Sequence, residues 1–193
     1  MSGNGQRRWG SHRLKGSWAD RIVRSAGLRE TDLVLDLGAG TGALTRPLAR
    51  RARRVVAVEL HPGRVKGLTA ALSSAETVTV VHGDLLEVPL PGGAFRVVAN
   101  PPYAIGAAVV RRITGPRSAL VRADLVLPRW MVCRYASSPP RGFTAEVGTH
   151  VPATAFVPPP RSDSAVLVLR RRSAPRRARR RPVRRAGPTP GPR

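Results

Sequence analysis

With 193 residues the chain is long enough for one ordinary domain, and its hydrophobic fraction of 41% is sufficient for a core. A net charge of +23, almost all of it from arginine, predicts a polyanionic partner such as nucleic acid, although an arginine-rich compositional bias would produce the same number. The single cysteine, Cys133, excludes an internal disulfide and a thiolate metal cage. Because no apolar run has the character of a signal peptide or a membrane span, we expect a cytoplasmic protein with no membrane contact.

The positive charge is concentrated towards the two ends of the chain. Residues 1–16 form a basic, Gly-rich arm, whereas residues 170–193 contain eleven arginines, five prolines and no acid. The tail lacks the apolar side chains that would offset the entropy of ordering it, so residues 173–193 are predicted to be disordered. A single folded domain is therefore predicted at residues 17–172.

In that domain, short apolar runs alternate with helical segments. Strands are predicted at residues 32–37, 55–60, 78–81, 95–99, 123–127 and 164–169, and helices at residues 43–51 and 62–72. Buried strands separated by helices indicate an α/β fold, with a parallel sheet covered by helices on both faces. The last strand follows a Pro-rich turn, and we expect it to lie antiparallel at an edge of the sheet.

A glycine turn and two acids follow the first three strands. The turn is Gly38-Ala39-Gly40-Thr41-Gly42, while Glu59 ends the second strand and Asp84 follows the third. Glycines let a backbone approach a ligand closely, and nucleotides bind at the carboxyl ends of parallel strands. A carboxylate at Glu59 can accept both hydroxyls of a ribose, and Asp84 can accept from an adenine amine, which together predict an adenosine-containing cofactor. A dinucleotide-binding dehydrogenase would carry a similar pattern, and a loop that merely turns the chain is the simpler alternative.

The segment Asn100-Pro101-Pro102-Tyr103 follows the fourth strand. The amino nitrogen of adenine is a poor nucleophile, and hydrogen bonds to the Asn100 side-chain oxygen and the Pro101 carbonyl would favour a more tetrahedral nitrogen. The prolines would stiffen the loop, and the Tyr103 ring offers a face on which a base can stack. A rigid turn in which Tyr103 only packs is the alternative.

With these motifs the chain resembles the ribosomal RNA adenine methyltransferases, which include the Erm macrolide-resistance enzymes and the KsgA-type small-subunit dimethyltransferases. The resemblance extends from about Trp9 to Arg172 and rests on LDLGAGTG (35–42), VEL (58–60), GDLL (83–86), NPPY (100–103) and FVPPPRSDSAV (156–166). It implies a Rossmann-like class I methyltransferase fold with a mostly parallel seven-stranded sheet and S-adenosyl-L-methionine as the cofactor, with no metal. Relatives usually continue into a small helical C-terminal domain, which we expect to be absent here.

The resemblance also implies roles for individual residues. The residues implied to contact the cofactor are His12, Leu14, Gly38, Gly40, Glu59, Asp84 and Asn100. Asn100 and Pro101 would also hold the target amine, and Tyr103 and Phe156 would stack on opposite faces of the target adenine.

The start WGSHRL (9–14), the segment AVELHPGRV (57–65) and the short length are most similar to the compact Erm enzymes of actinobacteria. This similarity implies methylation of an adenine in 23S rRNA before ribosome assembly is complete, by a monomer, with resistance to macrolides, lincosamides and streptogramin B as the result. Three alternatives remain open: a KsgA-type enzyme acting on 16S rRNA, a DNA or protein-glutamine methyltransferase, and a noncatalytic RNA-binding protein.

Overall fold

The computed structural model describes residues 12–172, so the predicted tail and most of the predicted N-terminal arm lie outside the described residues. The helices within this range are α1 (Gly16–Ser25), α2 (Thr45–Ala49), α3 (Pro62–Ala71), α4 (Gly106–Ile113) and α5 (Arg129–Ser137). The strands are β1 (Arg13–Leu14), β2 (Leu33–Leu37), β3 (Arg54–Glu59), β4 (Val78–His82), β5 (Phe95–Ala99), β6 (Leu120–Pro128), β7 (Phe143–Val151), β8 (Phe156–Val157) and β9 (Ser164–Arg171). Among residues 12–172, no helix combines the length and the apolar character that a transmembrane segment requires.

Seven strands form one sheet in the order β4-β3-β2-β5-β6-β9-β7. The first five run parallel to one another, and β9 is antiparallel to both β6 and β7. This sheet confirms the predicted mostly parallel, seven-stranded α/β fold.

The expected edge position of the last strand is wrong. Strand β9 lies between β6 and β7, and β7 forms the edge. Residues 164–169 are all buried, as expected of an internal strand, whereas β7 is buried only at its two ends, Phe143 and Val151, and carries polar residues along its length. That mixed composition explains why no apolar run marked β7 in the sequence.

The two faces of the sheet bury separate apolar cores. On one face Val34 and Val98 pack with α1 and α2, and on the other Leu35 and Val97 pack with α4 and α5. Neighbouring residues of a strand point to opposite faces, so each central strand contributes to both cores. The predicted coverage of the sheet by helices on both faces is confirmed.

Several arginines form hydrogen bonds or ion pairs with other groups of the folded domain. The buried Arg96 pairs with Asp32 at 2.7 Å and donates to the carbonyls of Ala26 and Gly27, which fixes the end of α1 to the sheet. Arg122 pairs with the buried Asp124, and Arg112 and Arg171 donate to backbone carbonyls. These arginines already have partners within the protein. They are therefore less available to a polyanion than exposed arginines without such partners.

Candidate active site

A cleft of about 1030 Å³ lies at the carboxyl edge of the parallel strands. Its walls come from the glycine turn after β2, the end of β3, the turn after β4 and the loop after β5. This is the edge at which α/β sheets bind nucleotides, because strand order reverses there and the loops diverge. Eight of the ten predicted site residues border the cleft: His12, Leu14, Gly38, Gly40, Glu59, Asp84, Asn100 and Tyr103.

The glycine turn has a backbone conformation that side chains would disturb. Gly38, Gly40 and Gly42 all have positive φ, at 82°, 59° and 85°. A Cβ on Gly42 would lie 2.5 Å from the Leu68 side chain, and one on Gly38 would lie 3.3 Å from Leu85. The amides of Gly38 and Ala39 both donate to the carbonyl of Val58 at 2.9 Å, so the turn is fixed against the end of β3. Because these glycines have no side chains, the backbone of this wall is accessible to a ligand.

Glu59 is a buried carboxylate held in one orientation. One of its oxygens accepts from the Gly40 amide at 2.8 Å and the other from the His61 amide at 2.9 Å. The guanidinium of Arg64 lies 3.9 Å away. Since each carboxylate oxygen can accept more than one hydrogen bond, Glu59 keeps capacity for hydroxyl donors within the cleft.

Asp84 lies in the turn after β4, where its Oδ1 accepts from the Leu86 amide at 2.7 Å. That bond fixes the carboxylate at the cleft wall, between Gly83 and Leu85 of the lining. Glu59 and Asp84 thus reach the same cleft from successive strands, as the sequence predicts.

Asp36 also borders the cleft and was missed in the sequence. It lies in the interior of β2, is 1% exposed, and accepts from the Thr45 hydroxyl at 2.7 Å. Burial raises the pKa of Asp36 from 3.8 to about 7; the Thr45 bond opposes this rise, and the negative charge of Glu59 adds to it. An acid inside an otherwise apolar strand is the sequence signal that could have identified it.

Asn100 has one satisfied and one unsatisfied polar atom. Its Nδ2 donates to the His12 carbonyl at 2.8 Å, whereas its buried Oδ1 has no hydrogen-bond partner. In the part of the chain that the structure describes, the only other buried side-chain polar atom without a partner is Arg96 Nε. A buried acceptor without a donor costs about 1–3 kcal/mol, so Asn100 Oδ1 marks a position where a ligand donor would be favourable.

Tyr103 is half-buried, and its hydroxyl lies 2.6 Å from the Ser164 hydroxyl at the start of β9. Burial raises the pKa of the Tyr103 phenol, and the Ser164 bond partly opposes that rise. The bond fixes the orientation of the ring, and both Tyr103 and Asn100 line the cleft. Ser164 was missed in the sequence because nothing in its spacing distinguishes it from its neighbours.

The N-terminal segment closes one side of the cleft. β1 pairs with β8, which places Leu14 opposite Phe156, and His12 Nδ1 lies 2.9 Å from the Pro158 carbonyl. The His12 ring lies 5.5 Å from the Tyr103 ring and meets the Phe156 ring edge-on at 6.4 Å.

Two predicted site residues, Pro101 and Phe156, do not border the cleft. Both are buried behind its wall, Phe156 with 2% of its surface exposed. Within residues 12–172 no cluster of three histidine, cysteine or acidic side chains is placed to hold a metal ion.

The chain matches known proteins over nearly all of its length. The family profile described as "Ribosomal RNA adenine dimethylase" matches residues 4–180. A protein of Methanosarcina mazei named "Probable ribosomal RNA small subunit methyltransferase A" is 34% identical over 175 residues, which is 84% of this chain and 63% of that protein. The mycinamicin-resistance protein MyrB of Micromonospora griseorubida is 38% identical over 154 residues, which is 74% of this chain and 48% of MyrB.

Among solved structures, the 23S rRNA methyltransferase ErmE superposes with a TM-score of 0.78 at 32% identity, over 84% of this chain and 71% of that chain. A dimethyladenosine transferase from Plasmodium falciparum superposes with a TM-score of 0.72 at 21% identity, over 83% of this chain and 64% of that chain, which supports the fold alone. The chain thus spans a little under two thirds of the first Methanosarcina relative and about half of MyrB. The resemblance inferred from the motifs is confirmed: the chain belongs to the ribosomal RNA adenine dimethylase family.

Proposed function

We propose that this chain transfers a methyl group from S-adenosyl-L-methionine to the 6-amino group of an adenine in ribosomal RNA. The observation that carries the proposal is the buried, unpartnered Oδ1 of Asn100, a residue that lines the cleft together with Tyr103. The amine of an adenine would supply the hydrogen-bond donor that this oxygen lacks. The Tyr103 ring, which lines the same cleft, would offer an aromatic face to the base.

The residues of the cleft fit the cofactor. Glu59 would accept the ribose hydroxyls, Asp84 would accept from the adenine amine, and the bare backbone at Gly38 and Gly40 would leave room for the chain between them. His12 and Leu14 would cover the cofactor from the N-terminal side. When bound, S-adenosylmethionine supplies a methyl group already activated by its sulfonium, so the protein's task is positioning.

Asn100 and Pro101 would hold the target amine. The bond from Asn100 Nδ2 to the His12 carbonyl fixes the side-chain amide, which leaves Oδ1 as the acceptor. A second bond to the Pro101 carbonyl would draw the amine nitrogen away from planarity, so that its lone pair becomes available for in-line transfer.

The two aromatic side chains would contribute differently. Tyr103 lines the cleft, where its ring would stack on the base. For Phe156 to stack on the opposite face, as the resemblance implies, its ring must become exposed when RNA binds, because His12 and Leu14 now cover it. The proposal therefore includes a rearrangement of the His12 and Leu14 side chains upon RNA binding, in which the His12 carbonyl stays bonded to Asn100.

For the substrate we propose 23S rRNA, methylated in the cytoplasm by a monomer before ribosome assembly is complete, with macrolide resistance as the consequence. The similarity to MyrB and ErmE supports this choice. A 16S substrate is the second candidate, because the first five curated relatives are named small-subunit methyltransferases.

Expression in a macrolide-sensitive bacterium, followed by primer-extension mapping of both large rRNAs, tests this proposal. We expect a 23S stop together with raised macrolide tolerance, and neither in cells that express Asn100→Ala. A stop in 16S rRNA with unchanged tolerance would support the second candidate. No stop in either rRNA, with purified protein inactive on both, would overturn the proposed activity.

A further inference from the structure

Trp130 is the most exposed large apolar side chain among residues 12–172, with 62% of its surface accessible. It lies in the first turn of α5, where the next two residues, Met131 and Val132, point into the core. The core therefore does not require the Trp130 ring. A single exposed apolar side chain is common on protein surfaces, so its surroundings decide whether it has a function.

Three exposed arginines accompany Trp130. Arg129 precedes it, Arg134 lies one helical turn further along the same face of α5, and Arg161 adjoins Ser162 at the rim of a shallow depression beside the indole. Unlike Arg96, their guanidinium groups form no hydrogen bond or ion pair with any residue that the structure describes. We call Arg129, Trp130, Arg134 and Arg161 the Trp130 patch.

One acid, Asp163, borders the Trp130 patch. Its carboxylate already accepts from His150 Nε2 at 2.9 Å and from the Ala153 amide at 2.9 Å, and the Arg129 charge also acts on it. A single partnered carboxylate leaves the three arginines in excess, so the Trp130 patch is basic.

The Trp130 patch is linked to the proposed site of the target base through the end of β6 and the start of β9. Pro128, at the end of β6, pairs with Ser164, and the Ser164 hydroxyl is bonded to Tyr103 at 2.6 Å. The Arg129 amide donates to the Asp163 carbonyl at 3.2 Å, which fixes the start of α5 to the same segment. An RNA strand that places one base against Tyr103 would bring its neighbouring nucleotides towards the Trp130 patch along this link.

We propose that Trp130 stacks on an unpaired base next to the target adenine, while Arg129, Arg134 and Arg161 bind the phosphates around it. This inference rests on the proposed function and adds a second contact with its substrate. An exposed indole beside arginines without bonded partners matches the chemistry of single-stranded nucleic acid. The indole can stack on the π-face of any base, and the arginines can bind the negative charge of the phosphate linkages. The alternative occupant, a second copy of the chain, is disfavoured because each copy carries +23.

The test uses the full chain and an RNA hairpin with an adenine in its unpaired loop, in which each loop neighbour of that adenine is replaced in turn by 2-aminopurine. Stacking on Trp130 quenches the fluorescence of one neighbour. We expect Trp130→Ala to abolish that quenching and to weaken RNA binding about 5- to 100-fold, whereas Trp130→Phe retains most of both. Val121→Ala is the matched control, because Val121 is an exposed apolar residue near the opposite end of β6.

Cofactor affinity and melting temperature should be the same for wild type and Trp130→Ala, since Trp130 contacts neither the cleft nor the core. If Trp130→Ala folds poorly, the quenching pattern of the wild type and the behaviour of Trp130→Phe still test whether Trp130 stacks on a base. Wild-type quenching and affinity in Trp130→Ala would overturn the inference, as would a loss of self-association with unchanged RNA binding. If the wild type binds the hairpin through Trp130 but methylates no RNA, the inference holds and the proposed function fails.

Discussion

The electrostatics of the cleft can be tested through the stability of an Asp36→Asn variant as a function of pH. Asp36 is buried in β2 with a pKa raised from 3.8 to about 7, chiefly by burial. The folded state therefore binds a proton more tightly than the unfolded state, and the contribution of Asp36 to stability is fully present below pH 3.8. It is lost as the pH rises towards 7 and stays lost above that.

The pKa of Asp36 is 3.8 in the unfolded chain and about 7 in the folded protein. Since a pKa difference of one corresponds to about 1.4 kcal/mol, Asp36 changes the free energy of unfolding by roughly 4 kcal/mol over the full titration. Between pH 5 and pH 8 alone, the free energy of unfolding of the wild type should fall by about 2–3 kcal/mol because of Asp36. Asparagine keeps an acceptor for the Thr45 hydroxyl and cannot ionise. The variant should therefore gain that amount relative to the wild type over this pH range.

Urea unfolding at pH 5, 6, 7 and 8 measures the effect. Asp20→Asn is the control: it removes the same charge from an exposed pair with Arg50, and such pairs contribute about 0–1 kcal/mol. Titrating groups that do not interact with Asp36 contribute equally to wild type and variant, so the difference between the two curves reports Asp36 together with its interaction with Glu59. Parallel curves for wild type and Asp36→Asn would refute the argument that burial keeps this carboxyl protonated near neutrality.

Three further predictions concern the reaction and the RNA. Asn100→Ala should lower the rate of transfer at least 100-fold while RNA affinity stays within about twofold, because phosphate contacts and base stacking elsewhere dominate that affinity; a large loss of RNA binding would contradict the role given to Asn100. Tyr103→Phe should lose the Ser164 bond, about 1 kcal/mol of stability, yet keep most activity, whereas Tyr103→Ala should lose more than tenfold; equal activity losses would assign the role to the hydroxyl. Truncation after Arg172 removes eight arginines and should flatten the salt dependence of RNA binding by about 0.7 in logarithmic slope for each phosphate that the tail neutralises, so an unchanged slope would exclude the tail from binding.

The sequence was most informative where one local pattern determines the structure. Apolar runs between helices identified six strands of the sheet, and the glycine turn and the Asn100 segment located the cleft. Strand β7 was not predicted because it is an edge strand with few buried positions and a register shift between Val147 and His150, so neither an apolar run nor a regular alternation marks it. Its omission also produced the error at β9, which would be an edge strand if β7 did not cover it.

Contacts between distant residues could not be predicted from local patterns. The bond between Tyr103 and Ser164 joins residues 61 apart, and the bond from Asn100 to the His12 carbonyl joins residues 88 apart. Both depend on how β1, β8 and β9 meet in three dimensions. The raised pKa of Asp36 likewise depends on the elements that cover β2, although the acid itself was visible in an apolar run.

Asp36 and Asn100 are two cleft residues whose buried polar groups lower the stability of the free protein and would be satisfied by ligands. Each keeps a polar group out of water without full compensation: the Asp36 carboxyl is forced towards its neutral form, and the Asn100 oxygen has no donor. Such groups lower the stability of the free protein, and natural proteins retain them where a ligand satisfies them. A cationic cofactor would favour the ionised form of Asp36, and an amine would supply the donor for Asn100. The two groups would thus be satisfied by different ligands, Asp36 by the cofactor and Asn100 by the target base, so that only the ternary complex removes both penalties.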